Sequence, residues 1–428
     1  MNWSLSKLKS QNIFLIFLTL FSFVTSVINL GFPDFKTFDE IYRITRAEKF
    51  LHHQVFITDQ PHFGKFIIIL GMLTFGNNPI GWRITQAISG TLLVPLSYLI
   101  GKKIFKHEYA GLLTAFFVAF DLGYLAYSRI GVVVIFEVFF MALSLLLFMI
   151  AIEKNNKTIF FISAITVGLT VAIKWTGLCL LPILWFWTLT RDRLKNVFWT
   201  KNTFNGLFLI VVLATYLITF IGSGRNFQYY HNAFNMPNDN FFQAVIGWHK
   251  LALGSHLREG MTHPYASKWY TWPFLYKPVL LYETLDRVKN EVTIIIGLGN
   301  PAIWWASDLA ILFQLFLLFF KRERDKSIIF LLAAYFTSLL PYAFIPRPMF
   351  LYHYMLSLFF SMLILEFTIV KLYKEKVLLR PFICFFISLV IGIFFYFFSL
   401  VNGYPITISD YNKKLWFPSW KSVFKPGL

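Results

Sequence analysis

Runs of about 20 apolar residues, parted by short polar joints, recur along almost the whole chain, and each is long enough to carry an α-helix across a bilayer. Backbone in hydrocarbon must satisfy its own N–H and C=O groups, so such a chain folds as a helix bundle. Polar punctuation marks out eleven spans, at approximately 13–30, 82–101, 108–126, 132–152, 158–173, 176–190, 204–222, 300–320, 327–345, 349–370 and 381–401. A mean hydropathy of +0.62 over 428 residues excludes an ordinary soluble domain. Basic residues collect in alternate joints: Lys102/Lys103/Lys106, Lys154/Lys157, Arg191/Arg193/Lys195, Lys321/Arg322/Arg324/Lys326 and Lys371/Lys374/Lys376/Arg380. All fall on the side of Lys7 and Lys9, which the positive-inside rule makes cytoplasmic. The expected fold is an all-α polytopic membrane protein with its N-terminus cytoplasmic and its tail, Asn402 to Leu428, outside.

The net charge of +18 lies largely in those clusters, a pattern that suits lipid anchoring and topology rather than nucleic acid. Cys179 and Cys384 each sit inside an apolar run, so neither a disulfide framework nor a zinc site is indicated. No small-residue cleavage site ends the run Ile13 to Leu30, and it reads as a retained first helix. Three regions follow: 1–222, with a polar outer loop at 31–81; a large outer loop, 223–298; and 299–428, four helices and a tail. Within the first loop, Phe66 to Phe75 is apolar but too short to span, as in a half-embedded helix.

The most polar stretch is Thr37 to Lys65, in that loop. Thr37 and Glu40 have capping-box spacing, which places Asp39 and Glu40 in the first turn of a helix. Ile41, Ile44, Phe50 and Leu51 recur at roughly helical spacing, as on a helix lying on a membrane surface. Asp39, Arg43 and Arg46 then share one face, setting a carboxylate beside two guanidinium groups. The same pattern also describes a capped helix whose charges are merely solvated.

Other charges, those of Arg83, Arg129, Glu137, Lys174 and Arg347, stand where burial demands either a partner or a function. Arg129, Lys174 and Arg347 reach one outer boundary, where cations facing an acidic loop can clamp a lipid-linked phosphate, or simply snorkel to headgroups. Glu137 has Arg129 as a candidate partner. In the second loop, Tyr265, Trp269, Tyr270 and Trp272 suit an interfacial aromatic belt or a sugar-stacking surface. His249 and His263 are hydrogen-bonding candidates, and their spacing is no metal signature.

Several stretches together resemble the protein O-mannosyltransferase family, membrane glycosyltransferases of the GT-C class. They are FDE at Phe38 to Glu40, the loop ending Gly64-Lys65, PIGWR at Pro79 to Arg83, Ser128-Arg129, and KWTG at Lys174 to Gly177. THPYASKWYTWP at Thr262 to Pro273, GNPAIWW at Gly299 to Trp305, PRPMFLYHY at Pro346 to Tyr354 and LWFPSW at Leu415 to Trp420 complete the set in family order.

The resemblance implies transfer of mannose from a polyprenyl-phosphate carrier to Ser or Thr hydroxyls of exported proteins, with inversion and with neither metal nor cofactor. It casts Asp39 as the catalytic carboxylate and Glu40 as its support. At motif positions Arg83, Arg129, Lys174, Arg347 and His353 fall to the donor and its phosphate; Arg43 joins them from its place on the Asp39 face, and His62, Lys65, His249, His263, Trp269 and Trp272 are the candidates of the substrate loops. The implied partners are the lipid-linked sugar, a secreted or membrane acceptor protein and membrane lipid; dimers are compatible with it. The implied location is a bacterial plasma membrane with the site facing outward.

The chain departs from the family pattern in two places. Asp59-Gln60-Pro61-His62-Phe63-Gly64-Lys65 is one residue shorter than the family's Asp-x-His-Pro-Pro-Leu-Gly-Lys, with His and Pro reordered. Val134 stands where the family places an Asp. Two alternatives stay open: a sibling enzyme moving another sugar to a lipid or glycan, and a non-catalytic lipid-binding or transport protein. Polar groups concentrated in outer loops, rather than in broken mid-membrane helices, favour an enzyme.

Overall fold

Asparagine followed by proline starts two of the longest helices, because the Asn side chain caps the free N–H groups and proline fits the first helical turn. Asn78 accepts from the backbone N–H groups of Ile80 and Gly81, at 3.0 and 3.1 Å. Asn300 accepts from Ala302. The computed structural model describes residues 2–56, 58–190, 202–221, 241–375 and 377–421. The basic cluster at Arg191, Arg193 and Lys195, Lys376, the side chains of Lys7 and Lys9, the first part of the second outer loop and the end of the tail lie outside the described residues.

In chain order the helices are α1 (Asn2–Val27), α2 (Glu40–Leu51), α3 (Phe63–Phe75), α4 (Pro79–Phe105), α5 (Glu108–Ala119), α6 (Leu122–Ser128), α7 (Val134–Glu153) and α8 (Lys157–Ile173). Then come α9 (Leu180–Leu189), α10 (Asn202–Ile218), α11 (Phe241–His256), α12 (Pro301–Phe319), α13 (Lys326–Leu339), α14 (Met355–Glu375), α15 (Arg380–Asn402) and α16 (Ile408–Lys414). Among the described residues seven helices are long and apolar enough to cross a membrane, and eight if α5 and α6 form one bent span. This is an integral membrane protein. Its lipid-side faces carry exposed Ile13, Leu309 and Phe382, while α7 and α14 are buried in the middle of the bundle.

The run 108–126, expected to be one helix, is broken. α5 and α6 meet at 60°. Asp121 sits at the break, fully buried, accepting from Tyr124 N at 2.9 Å, Asn300 N at 3.1 Å and the Trp304 indole at 2.8 Å. A charged group in the bundle thus fastens the bend to the start of α12.

The all-helical expectation also omits a small sheet. Strands β1 (Val279–Asp286) and β2 (Glu291–Gly297) form an antiparallel hairpin in register Asp286 to Glu291, with a bulge between Leu280 and Tyr282. β3 (Pro405–Thr407), from the tail, pairs antiparallel with the other edge of β2. Tyr282 packs edge-on against Phe32 and Phe35, and the Thr37 hydroxyl donates to the Leu281 carbonyl at 2.5 Å. The sheet therefore clamps the start of the first outer loop.

Candidate active site

The first loop enters α2 through Phe38, whose φ is +49°, so the chain turns sharply just before the two acids. The capping box forms only in half. Glu40 accepts from the Thr37 backbone N–H at 3.1 Å, but the Thr37 hydroxyl is turned to the sheet, and Asp39 is the residue flanking the helix.

The two neighbouring acids have opposite surroundings. Glu40 is fully buried and its oxygens take Arg83 Nε at 2.7 Å, Arg83 Nη2 at 2.8 Å, Gly131 N at 2.6 Å and Thr37 N. Both oxygens are saturated. Asp39 caps nothing, retains 29% side-chain exposure and lies 3.9 Å from Arg43. Rigid Glu40 holds the turn that presents Asp39.

Arg83, expected at the donor, uses all five of its N–H groups inside the protein: two on Glu40 and three on the carbonyls of Leu30, Pro33 and Phe35. Arg129 likewise ties loop to bundle, donating to Thr25, Ser26 and Asn402 carbonyls. Arg83 thus has no N–H left for a ligand, while Arg129 keeps a buried Nε–H with no acceptor among the described residues. Glu137 pairs with Lys174 at 3.7 Å and accepts from Thr176, in place of the anticipated Arg129.

The cations that do converge come from three elements. Arg43 projects from α2, Lys174 from the extended joint after α8, and Arg347 from the loop before α14. Asp59 joins them, 3.7 Å from Arg347 and 3.6 Å from Arg46. Arg46 thus reaches Asp59 rather than standing beside Asp39. Burial pushes the Asp59 carboxyl up, yet Arg43, Arg46, its own backbone and His256 outweigh this and hold it below the usual aspartate value. Burial, reinforced by Arg347 and Arg43 and opposed by Glu137, pulls the Lys174 ammonium down. In this cluster Arg43 Nε and Arg347 Nε, like Arg129 Nε elsewhere, are buried donors with no acceptor among the described residues.

Tyrosines close the space around Asp39. Tyr352 lies against Phe38 and Tyr127, with ring centroids 6.3 and 5.9 Å apart, and the ammonium of Lys174 is 5.8 Å from the Tyr352 ring. Asp39 acts electrostatically on both tyrosines, and the buried Tyr127 hydroxyl has no partner among the described residues. A cavity of 690 Å³ opens beside Arg347, lined also by Thr262, His263, Lys268 and Trp269.

Most of the remaining candidates are engaged within the protein. Trp272 is fully buried, bonded to Ser267 and stacked on His353, whose Nδ1 is engaged with the Phe350 backbone. Lys65 is buried and donates to the Gln60 and Pro61 carbonyls. His249 donates from Nδ1 to Val245 O at 2.7 Å and accepts at Nε2 from Tyr216, which in turn takes the Trp175 indole. His62 is enclosed by Phe220 and Trp248, and burial, with Lys65 beside it, holds it well below the usual histidine value. Of the second-loop set, His263, Trp269 and Tyr270 line the cavity.

Asp59, Tyr127, Tyr352 and Gly131 were not singled out by sequence reasoning. Asp59 was visible within its motif; the tyrosines give no signal in a chain so rich in aromatics.

Profiles of one family match the chain in tandem. That described as "Dolichyl-phosphate-mannose-protein mannosyltransferase" covers residues 59–220, and that for the "C-terminal four TMM region of protein-O-mannosyltransferase" covers 241–420. The polyprenol-phosphate-mannose–protein mannosyltransferase of Mycolicibacterium smegmatis is 23% identical, over 94% of this chain and 92% of its own. That of Corynebacterium glutamicum is 24% identical, over 84% and 81%. Among solved structures, a S. cerevisiae protein O-mannosyltransferase complex bound to the sugar donor superposes with a TM-score of 0.78 at 13% identity, covering 97% of this chain and 93% of that one. ArnT from Cupriavidus metallidurans bound to undecaprenyl phosphate gives 0.56 at 14% identity, over 91% and 76%. The fold is that of the GT-C class of membrane glycosyltransferases. Within that class, the chain belongs to the protein O-mannosyltransferase family.

Proposed function

We propose that this enzyme transfers mannose from a polyprenyl-phosphate carrier to Ser or Thr hydroxyls of exported proteins. One observation carries the catalytic reading: Asp39 stands accessible next to a cluster of cations with unused buried donors, while Glu40 beside it is saturated. Asp39 accepts the proton of the acceptor hydroxyl as its oxygen attacks C1 of the sugar. The C1–O bond to phosphate breaks and the carrier phosphate leaves with the bonding pair. Arg43, Arg347 and Lys174 stabilise that departing charge, so no proton need be delivered to it. Attack opposite to the leaving phosphate inverts the anomeric centre, and no step calls for a metal or cofactor. His263 and Trp269 border the route for the acceptor.

The topology that fits this chemistry is eleven spans. The long helices and the α5–α6 pair count as eight, and the shorter apolar helices α8, α9 and α10 supply three more. The N-terminus then lies in the cytoplasm and the tail, with the site, on the outer face of a bacterial plasma membrane. Residues 1–222 carry the catalytic loop, the large outer loop of 223–298 covers it with its described part from Phe241 on, and 299–428 hold the C-terminal helices. Dimerisation is compatible with this arrangement.

The test is sugar transfer by the purified protein to a Ser/Thr-rich peptide, with EDTA present, from a panel of polyprenyl-phosphate sugars. Mannose transferred in preference to glucose or arabinose supports the reading. Preference for another sugar reassigns the donor, and transfer abolished by EDTA removes the metal-free mechanism.

A further inference from the structure

A second polar cavity, of 740 Å³, lies at the other end of the bundle from Asp39. α4 has Arg83 near its start and Lys106 just beyond its end, and 27 residues of helix put about 40 Å between those ends. α14 likewise runs from beside Tyr352 to the cavity, where it contributes Glu366. Glu366 is 0% exposed, and neither carboxylate oxygen has a hydrogen-bond partner among the described residues. Gln314, another lining residue, is already engaged with Thr368. An ionisable side chain held in a membrane bundle without a partner points to a ligand.

The lining decides which ligand. It holds four basic side chains and four carboxylates, so no net charge favours an anion. Lys371 and Glu323 pair with each other, and Asp325 caps α13 by accepting from Ser327 and Ile328. That leaves Glu366 fully buried at the base and Lys106, Arg324, Lys374 and Glu375 exposed toward the mouth, a net positive rim over a buried carboxylate, which is the order of charges that meets an amine joined to a phosphate. Apart from His107 and Ser327 the remaining wall is apolar, formed by Ile104, Phe105, Ile328, Phe367 and Val370 at the ends of spanning helices, where acyl chains would lie. No group of three His, Cys, Asp or Glu able to hold a metal ion occurs among the described residues.

We infer that this cavity binds the headgroup of a zwitterionic aminophospholipid, its ammonium donating to Glu366 and its phosphate held by Lys106, Arg324 and Lys374. An N–H donor is needed to bond a carboxylate at the base, so phosphatidylethanolamine fits and its trimethylated counterpart, which has none, does not.

The test is native mass spectrometry of the full-length protein in detergent, competing dioleoyl phosphatidylethanolamine against dioleoyl phosphatidylcholine and phosphatidylglycerol. Wild type should retain phosphatidylethanolamine about tenfold over either, and Glu366→Gln should bring the preference to about twofold or less. Arg324→Gln, a change at an exposed position, should weaken phosphatidylethanolamine and phosphatidylglycerol alike. Equal retention of all three lipids, preference for phosphatidylglycerol, or an unchanged preference in Glu366→Gln would each overturn the assignment. Displacement of the lipid by soluble phosphoethanolamine at equal concentration would overturn its lipid part. If Glu366→Gln fails to fold, the wild-type headgroup series and Arg324→Gln decide.

Discussion

Arg83 and Glu40 form a two-pronged ion pair, at 2.7 and 2.8 Å, with both side chains essentially excluded from solvent. Removing one member leaves the other charged, buried and unpaired, which costs about 3–5 kcal/mol. Glu40→Ala and Arg83→Ala should therefore both lower the melting temperature in detergent, and Arg83→Lys should not restore it, because a lysine cannot make the fork. Loss of transfer by Glu40→Ala with an unchanged melting temperature would instead make Glu40 a reacting group.

Gly131 is the point where α7's preceding loop meets the pair. A Cβ there would lie 2.9 Å from both Glu40 Oε1 and Ile44 Cδ1. Gly131→Ala should destabilise the protein by about 1–3 kcal/mol through overpacking and should lower transfer by displacing the Asp39 turn. Thermal melts and transfer rates of the same preparation check both effects.

Much of this was legible in the sequence, for identifiable reasons. Apolar runs fix where helices lie, and the Asp39–Glu40 pair with Arg43 one turn on marked the reacting loop. Burial was not legible: Asp39 and Glu40 look alike in sequence, and only the fold delivers Arg83 and Gly131 to one of them. For the same reason the sequence could not show that Arg129 ties α6 to α1 and α15. The break at Asp121 was hidden because the apolar composition continues through it. The strands β1 and β2 lack a strict alternation of burial, so they passed for irregular loop.

Arg347 keeps a buried Nε–H with no acceptor among the described residues and pairs with Asp59, so the proposed phosphate contact is open to it. Arg347→Ala should reduce kcat/KM for the lipid-linked sugar by about 10²–10³, as expected when a donor to developing charge is lost. The peptide KM should change little. A loss confined to the peptide KM would move Arg347 out of the donor site.

Acid should weaken the folded outer region. His256 is pushed down to about 4 by burial together with Arg347 and Lys174, against a usual value of 6.5. Between those values the unfolded chain holds a proton that the folded one does not, so stability rises with pH there and is lost as pH falls from 6.5 towards 4. Asp59, also held below its usual value, adds stability above about pH 4 that is lost as its folded form is protonated at lower pH. His256→Gln should flatten the pH dependence of the melting temperature over the upper window and leave the lower loss in place. An unchanged slope above pH 4 would show that His256 does not titrate differently on folding.

Asp39 taking the acceptor's proton, with Glu40 only positioning it, is the step on which the mechanism stands. The direct measurement is mannose transfer from polyprenyl-phosphate-mannose to a Ser/Thr peptide by wild type and Asp39→Asn, with melting temperatures recorded on the same samples. A rate lowered by about 10²–10⁴ with an unchanged melting temperature is expected, since Asp39 makes no cap and is partly exposed. Transfer by Asp39→Asn at the wild-type rate would contradict that role.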